Sequence, residues 1–159
     1  FSQVPHIWGW ATWRRSWMQH QLDIADWRSR IPLRTLFNRV HRSAPAFAYW
    51  ASLFSVLGRG EVDTWDGQLV LASMVSGQWT ATSNRNLIRN IGFDELATHT
   101  FEDRGELQPV MPMATPMAPV PVVVDARADD WTRRHHFHAT ALGMVQQASR
   151  YVKRRLGRS

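Results

Sequence analysis

The chain of 159 residues contains no cysteine, which excludes disulfide bonds, thiol nucleophiles and thiolate metal sites. No apolar run approaches the roughly 18 residues of a transmembrane helix. The sequence has neither a glycine-rich phosphate loop nor a GxSxG nucleophile elbow. Hydrophobic residues make up 44% and charged residues 20%, which is typical of a folded domain and not of a disordered chain.

The net charge of +6 is concentrated at the end of the chain. Residues 1–129 carry 12 basic and 12 acidic residues, so they are neutral. Residues 130–159 carry the whole excess, with Asp130 as their one acidic residue. Such a tail can bind anionic lipid or nucleic acid, or can be a solvated helix end. Because the body is neutral, we expect no nucleic-acid partner and allow peripheral contact with an anionic membrane.

Tryptophan is unusually frequent, with nine residues in the chain. Five lie within the first 27 positions: Trp8, Trp10, Trp13, Trp17 and Trp27. An indole offers a broad apolar face and one N–H donor, which suits stacking on a sugar ring as well as core packing. Both interpretations stay open for each tryptophan.

Short apolar runs alternating with helical patterns predict an α/β fold. Strands are expected over 2–8, 78–82, 86–91 and 122–124. A helix capped by Thr12 should reach about His20, and a weaker one should cover 31–42. Ser43 and Pro45 should start a helix that buries one face, and Asp63 or Thr64 should cap the next. Asp129 should open an amphipathic basic helix at 129–159.

Three acidic or imidazole side chains could carry chemistry. Asp63 and Asp66 are three positions apart at a predicted helix start, so one could be a general base and the other a cap, or both could be caps. His99 could bind a metal or a phosphate, or could be a hydrogen-bonded loop residue. His135, His136 and His138 lack a carboxylate partner at metal-site spacing, which favours a surface position.

Four stretches together resemble one family. They are HIWGWATWRRSW at 6–17, VDTWDGQLVLAS at 62–73, NLIRNIGFDELATHT at 86–100 and a proline-rich stretch ending in VVVDARAD at 122–129. Their order and spacing resemble the C-terminal half of bacterial nucleotide-sugar glycosyltransferases of the GT-A, family-2-like kind, some of which are labelled hemolytic-protein-like. The resemblance implies a partial GT-A-like mixed-sheet sandwich at residues 1–128, forming the acceptor side of the enzyme.

The resemblance also implies roles for particular residues. Asp66 would be the base of an inverting sugar transfer, with Asp63 as second choice or cap. His99 would reach a divalent metal, Mn or Mg, or the diphosphate. The chain departs from the family at Gly67 and Leu69, where aromatic residues are expected. The sugar pocket and its adjoining loop would be formed by Trp8, Gly9, Trp10, Trp13, Trp65, Asn90 and Gly92.

The sequence therefore predicts a cytoplasmic enzyme. It could contact the inner face of the cell membrane as a peripheral protein. It would transfer sugar from a nucleotide-sugar donor to a glycan or lipid-linked acceptor. The chain begins at Phe1 and resembles only the acceptor half, so it is expected to be inactive alone. The alternatives are a non-catalytic, tryptophan-rich carbohydrate-binding module and a basic-tailed adaptor.

Overall fold

A computed structural model describes residues 1–7, 9–88, 109–112 and 119–143, and these residues form a helical fold. They contain no β-strand, and Ser2 and Thr80 form one isolated antiparallel bridge. The predicted α/β mixed-sheet sandwich is therefore wrong. The helices with both ends in these ranges are α1 (Arg14–Trp17), α2 (Trp27–Arg30), α3 (Leu33–Arg39), α4 (Ala44–Gly58), α5 (Asp66–Val75) and α6 (Ala126–His135).

The strand predictions fail because the β-type runs lack partners along their length. Ser2 and Thr80 exchange two backbone hydrogen bonds of 2.9 Å, and the pairing stops there. The Phe1 ammonium donates to the Val123 carbonyl at 3.1 Å, and Asp125 N–H donates to the Phe1 carbonyl at 2.8 Å. A sheet needs a continuous ladder, which these isolated contacts do not provide. In the strand predicted at 86–91, residues 89–91 lie outside the described ranges.

The α4 helix forms as its sequence predicts. Ser43 Oγ accepts a hydrogen bond from Ala46 N–H at 3.4 Å, and Pro45 occupies the first turn, where no N–H is needed. Apolar residues at three- and four-residue spacing then bury one face. The buried residues of α4 are Ala46, Trp50, Phe54 and Leu57.

The α5 helix is the most deeply buried element. It begins at Asp66, and its N-cap residue is Trp65, whose side chain makes no capping hydrogen bond. The prediction that Asp63 or Thr64 caps this helix is therefore wrong. Every residue from Gly67 to Met74 is buried. Helix α4 packs against α5 and also contacts α2 and α3.

One hydrophobic core joins α2, α3, α4 and α5. Its members are Ile24, Trp27, Ile31, Leu36, Val40, Ala46, Trp50, Phe54, Leu57, Val70, Leu71, Met74 and Ala139. Trp27 and Trp50 both pack against Phe54 at ring-centroid distances of 5.7 Å. These two tryptophans are therefore core residues, whereas Trp13 is 70% exposed.

The C-terminal region differs from its predicted helix. Asp125, not Asp129, caps α6, because its Oδ1 accepts hydrogen bonds from Arg127 N–H at 3.0 Å and Ala128 N–H at 3.1 Å. The helix ends at His135, and His138 adopts a left-handed backbone with φ of 49°. The basic tail from residue 144 onward lies outside the described ranges. No helix in the described part of the chain is long and apolar enough to cross a membrane.

Candidate functional site

A cleft of about 640 Å³ opens between the start of α5, one side of α4 and two loop segments. This volume lies in the range of small-molecule sites. Helix α4 supplies apolar and aromatic wall residues, and the loop before α5 supplies polar ones. The lining residues include Pro5, His6, Ile7, Tyr49, Trp50, Leu53, Leu57, Val62, Asp63, Thr64, Asp66, Gly67, Val70, His136 and Phe137.

Both predicted acidic residues lie in this cleft. Asp66 is the first residue of α5, where the helix dipole favours a negative charge. Its Oδ1 accepts hydrogen bonds from Thr64 Oγ1–H and Gly67 N–H, both at 2.6 Å. These two bonds fix the carboxylate and leave Oδ2 as the oxygen that can meet a ligand. Asp63 is exposed at the cleft wall.

Tyr49 of α4 lines the same cleft as Asp66. Its ring packs against Trp50 edge-on at 5.1 Å and against Phe137 at 5.8 Å. Burial, and secondarily the negative charge of Asp66, raise the pKa of the Tyr49 phenol above its usual 10.0. Tyr49 is therefore a neutral hydroxyl near the carboxylate, able to donate a hydrogen bond to a ligand. The sequence analysis missed it, because its position in a predicted core helix gave no functional signal.

Two histidines line the cleft with the two acids. Burial lowers the pKa of His6, with a further lowering from His136 and an opposing effect of Asp129. Burial of part of the imidazole, and secondarily His138, lower the pKa of His136. Both imidazoles therefore favour the neutral form, which can donate or accept a hydrogen bond. His135, His136 and His138 are exposed, which confirms their predicted surface position, and His136 also lines the cleft. His6 was not among the residues predicted from the sequence.

Beside the cleft lies an aromatic cluster formed by Trp10, Trp17, His20 and Trp65. The Trp10 ring centroid is 6.0 Å from that of Trp17 and 5.6 Å from that of Trp65. The Trp17 ring stacks on His20 at 4.6 Å, and His20 Nε2 lies 3.2 Å from the Trp65 carbonyl oxygen. Trp17 is 44% and Trp65 43% exposed, so aromatic faces are open to solvent next to Asp66.

Gly9 sets the turn that leads into Trp10. Its backbone has a φ of +59°, which residues with a side chain rarely adopt. An added Cβ would also lie 2.9 Å from Ile88 Cδ1. Gly9 therefore has a backbone role, and its place in the sugar pocket stays a prediction. Trp13 is not part of the aromatic cluster, because its ring packs under the Arg15 guanidinium at 5.5 Å.

The remaining predicted site residues, Trp8, Asn90, Gly92 and His99, lie outside the described ranges. Among the residues that are described, no group of three or more histidine or acidic side chains could hold a metal ion. The described residues of the cleft thus do not fit a divalent metal.

Comparison with protein-family models, with curated proteins and with solved structures gave no match.

Proposed function

We propose that this chain binds a carbohydrate across the aromatic cluster and presents one of its hydroxyls to Asp66, as the acceptor side of a sugar transferase. The observation that carries the proposal is the contact between Trp10 and Trp65, whose ring centroids are 5.6 Å apart, directly beside the carboxylate that begins α5. Indole faces suit the apolar C–H faces of sugars, while the polar cleft residues suit sugar hydroxyls.

Asp66 has the properties of a general base in this arrangement. The helix dipole and the two hydrogen bonds to Oδ1 hold the carboxylate in one orientation. Asp66 would take the proton of the acceptor hydroxyl as its oxygen attacks the anomeric carbon of the nucleotide sugar. The bond from that carbon to the diphosphate would break, and the nucleoside diphosphate would leave from the opposite face, which inverts the configuration. Tyr49, His6 and His136 would hydrogen bond to the acceptor, and Asp63 is the second carboxylate within the cleft.

The donor would be a nucleotide sugar, bound by elements other than the cleft described above, and the acceptor a glycan or a lipid-linked sugar. With these substrates the protein would act in the cytoplasm and could contact the inner face of the cell membrane as a peripheral protein. Contact of the basic tail with anionic lipid belongs to the same proposal. The divalent metal implied by the resemblance remains a prediction without an assigned step.

A second candidate, a non-catalytic carbohydrate-binding module, is favoured by the exposure of Trp17 and Trp65 at the cluster surface. Both candidates require glycan binding, so binding is tested first. The 159-residue chain is screened on a glycan array and then titrated with the oligosaccharides that bind. Absence of binding to glycans of every class on the array would contradict both candidates.

Asp66 separates the two candidates. The Asp66→Asn variant keeps an amide oxygen for the Thr64 and Gly67 hydrogen bonds but cannot take a proton. In the native protein, the transferase proposal expects a loss of sugar transfer of about 10²- to 10⁴-fold with glycan affinity retained. Unchanged transfer would exclude Asp66 as the base. Catalysis would then lie elsewhere in the protein, and glycan binding alone would remain for this chain. Asp63→Asn is the matched control and should reduce transfer less.

A further inference from the structure

A second surface feature is formed by the segment at residues 11–23, which also supplies Trp17 and His20 to the aromatic cluster. Residues 11–23 contain no buried side chain, and the core begins only at Ile24. Three large apolar side chains in this stretch are among the most exposed in the described chain: Trp13 at 70%, Met18 at 74% and Leu22 at 68%. Several large apolar side chains exposed within one short segment are typical of an interaction surface.

The same stretch is positively charged. The chain has no acidic residue before Asp23, while Arg14 and Arg15 lie between Trp13 and Met18. The Arg15 guanidinium lies 5.5 Å from the centroid of the Trp13 ring. Positive charge and an exposed indole therefore occur at one place, with no carboxylate of the same segment to neutralise the arginines.

We propose that the Trp13–Leu22 surface, made of Trp13, Arg14, Arg15, Met18 and Leu22, binds an anionic lipid bilayer. Tryptophan prefers the interface between headgroups and acyl chains, and Met and Leu can enter the acyl region. Arginine is attracted to anionic headgroups. The surface is distinct from the basic residues at 150–159. Its binding to a bilayer does not depend on the proposed glycan site.

A bilayer fits this surface better than a second copy of the chain. In a twofold symmetric contact each residue faces the same surface of its partner, so Arg14 and Arg15 would be brought near their own copies. Nucleic acid would satisfy the arginines but would leave Met18 and Leu22 exposed to water. A bilayer satisfies the charged and the apolar side chains together.

Because Trp10, Trp17 and His20 of the aromatic cluster come from the same segment, bilayer binding would bring the cleft to the membrane surface. A sugar attached to a lipid would then be within its reach. This consequence rests on the proposed function, whereas membrane binding itself does not.

The test is vesicle flotation of the 159-residue chain with phosphatidylglycerol–phosphatidylcholine vesicles and with phosphatidylcholine vesicles alone. We expect the W13S/M18S/L22S variant to lose about tenfold or more in partitioning to the anionic vesicles. The matched control is W131S/L142S, which removes a tryptophan and a leucine that are 61% and 68% exposed. The control should bind like the unaltered chain. Circular dichroism checks that each variant is folded.

Three results would overturn the proposal: unchanged binding of W13S/M18S/L22S, equal binding to both kinds of vesicle, or loss of binding only in a tail variant, R154Q/R155Q/R158Q. A change in oligomeric state without a change in vesicle binding would assign the surface to self-association instead. If the apolar variant does not fold, R14Q/R15Q tests the same surface through its charge. Glycan titration without vesicles reports on the proposed function separately.

Discussion

His41 Nε2 lies 2.7 Å from Asp129 Oδ2, which joins the end of α3 to α6 across 88 positions of the chain. The same Oδ2 accepts a hydrogen bond from Gln3 N–H at 3.0 Å. The Asp129 side chain is only 5% exposed, and His41 has a left-handed backbone with φ of 52°. One buried carboxylate thus connects the end of α3 with the two parts of the chain that bring His6 and His136 to the cleft, the N-terminal segment and α6.

Replacing Asp129 by alanine should destabilise the fold. Two donors lose their acceptor in a buried place, which costs about 1–3 kcal/mol in the free energy of unfolding. Urea denaturation measures this loss. Asp130→Ala is the matched control, because Asp130 is 42% exposed and pairs with Arg133 and Arg134 at the surface. A loss for Asp130→Ala as large as that for Asp129→Ala would contradict the role of the buried carboxylate.

Gly58, the last residue of α4, allows the end of this helix to approach the backbone of Ile24 and Ala25, which lie before α2. A Cβ at this position would lie 2.9 Å from the Ile24 carbonyl oxygen and 3.2 Å from Ala25 Cα. Alanine normally stabilises a helix relative to glycine, but here it should destabilise by about 1–3 kcal/mol because backbone atoms cannot move aside. Gly67→Ala is the comparison, since it meets the end of the flexible Leu57 side chain. The unfolding midpoint should fall less for Gly67→Ala than for Gly58→Ala.

The fold should lose stability on mild acidification. The pKa values of His6 and His136 are lowered below the usual 6.5, so the unfolded chain binds more protons than the folded chain near that pH. The stabilisation is complete above pH 6.5 and is lost as the pH falls through the lowered pKa values. The melting temperature should therefore fall as the pH drops below 6.5.

The double variant H6Q/H136Q identifies the groups responsible for this pH dependence. Its melting temperature should change less over the same pH interval than that of the unaltered chain. Asp125 and Asp130 act at a lower pH, because their pKa values are lowered from 3.8. An equally steep fall in the double variant would assign the effect to other groups.

The Asp66–Tyr49 relationship can be observed by absorbance titration. The chain has two tyrosines, so Tyr151→Phe leaves Tyr49 as the single phenol. Adding Asp66→Asn removes a negative charge and should lower the Tyr49 pKa, which should stay above 10.0 because burial is the larger cause of its shift. An unchanged pKa would show that the Asp66 carboxylate does not face Tyr49.

The sequence predicted α4 and α5 because their signals are local. The cap at Ser43 and the apolar spacing of Trp50, Phe54 and Leu57 lie within a few turns of one another. The strand predictions were wrong because a strand needs a partner that its own residues do not specify, and Ser2 found only Thr80. The helix predicted from Thr12 is only four residues long and has no side-chain cap.

Only the part of the candidate site that has a local signal could be predicted from the sequence. The helix start at Asp66 could be read locally, and the structure places both Asp63 and Asp66 in the cleft. His6 and His136 are 130 positions apart, so only the tertiary fold brings them to one cavity. The aromatic residue expected at Gly67 could not be accommodated, because even a Cβ there would collide with Leu57.

Glycan titration of tryptophan variants tests the central claim most directly. Calorimetry would compare the unaltered chain with Trp10→Ala and with Trp131→Ala, whose exposed indole stacks on His135 away from the cleft. We expect Trp10→Ala to weaken binding of the array-selected oligosaccharide about three- to tenfold, the effect of one lost aromatic contact, and Trp131→Ala to leave it unchanged. Equal affinity of all three proteins, or a loss confined to Trp131→Ala, would contradict glycan binding by the aromatic cluster.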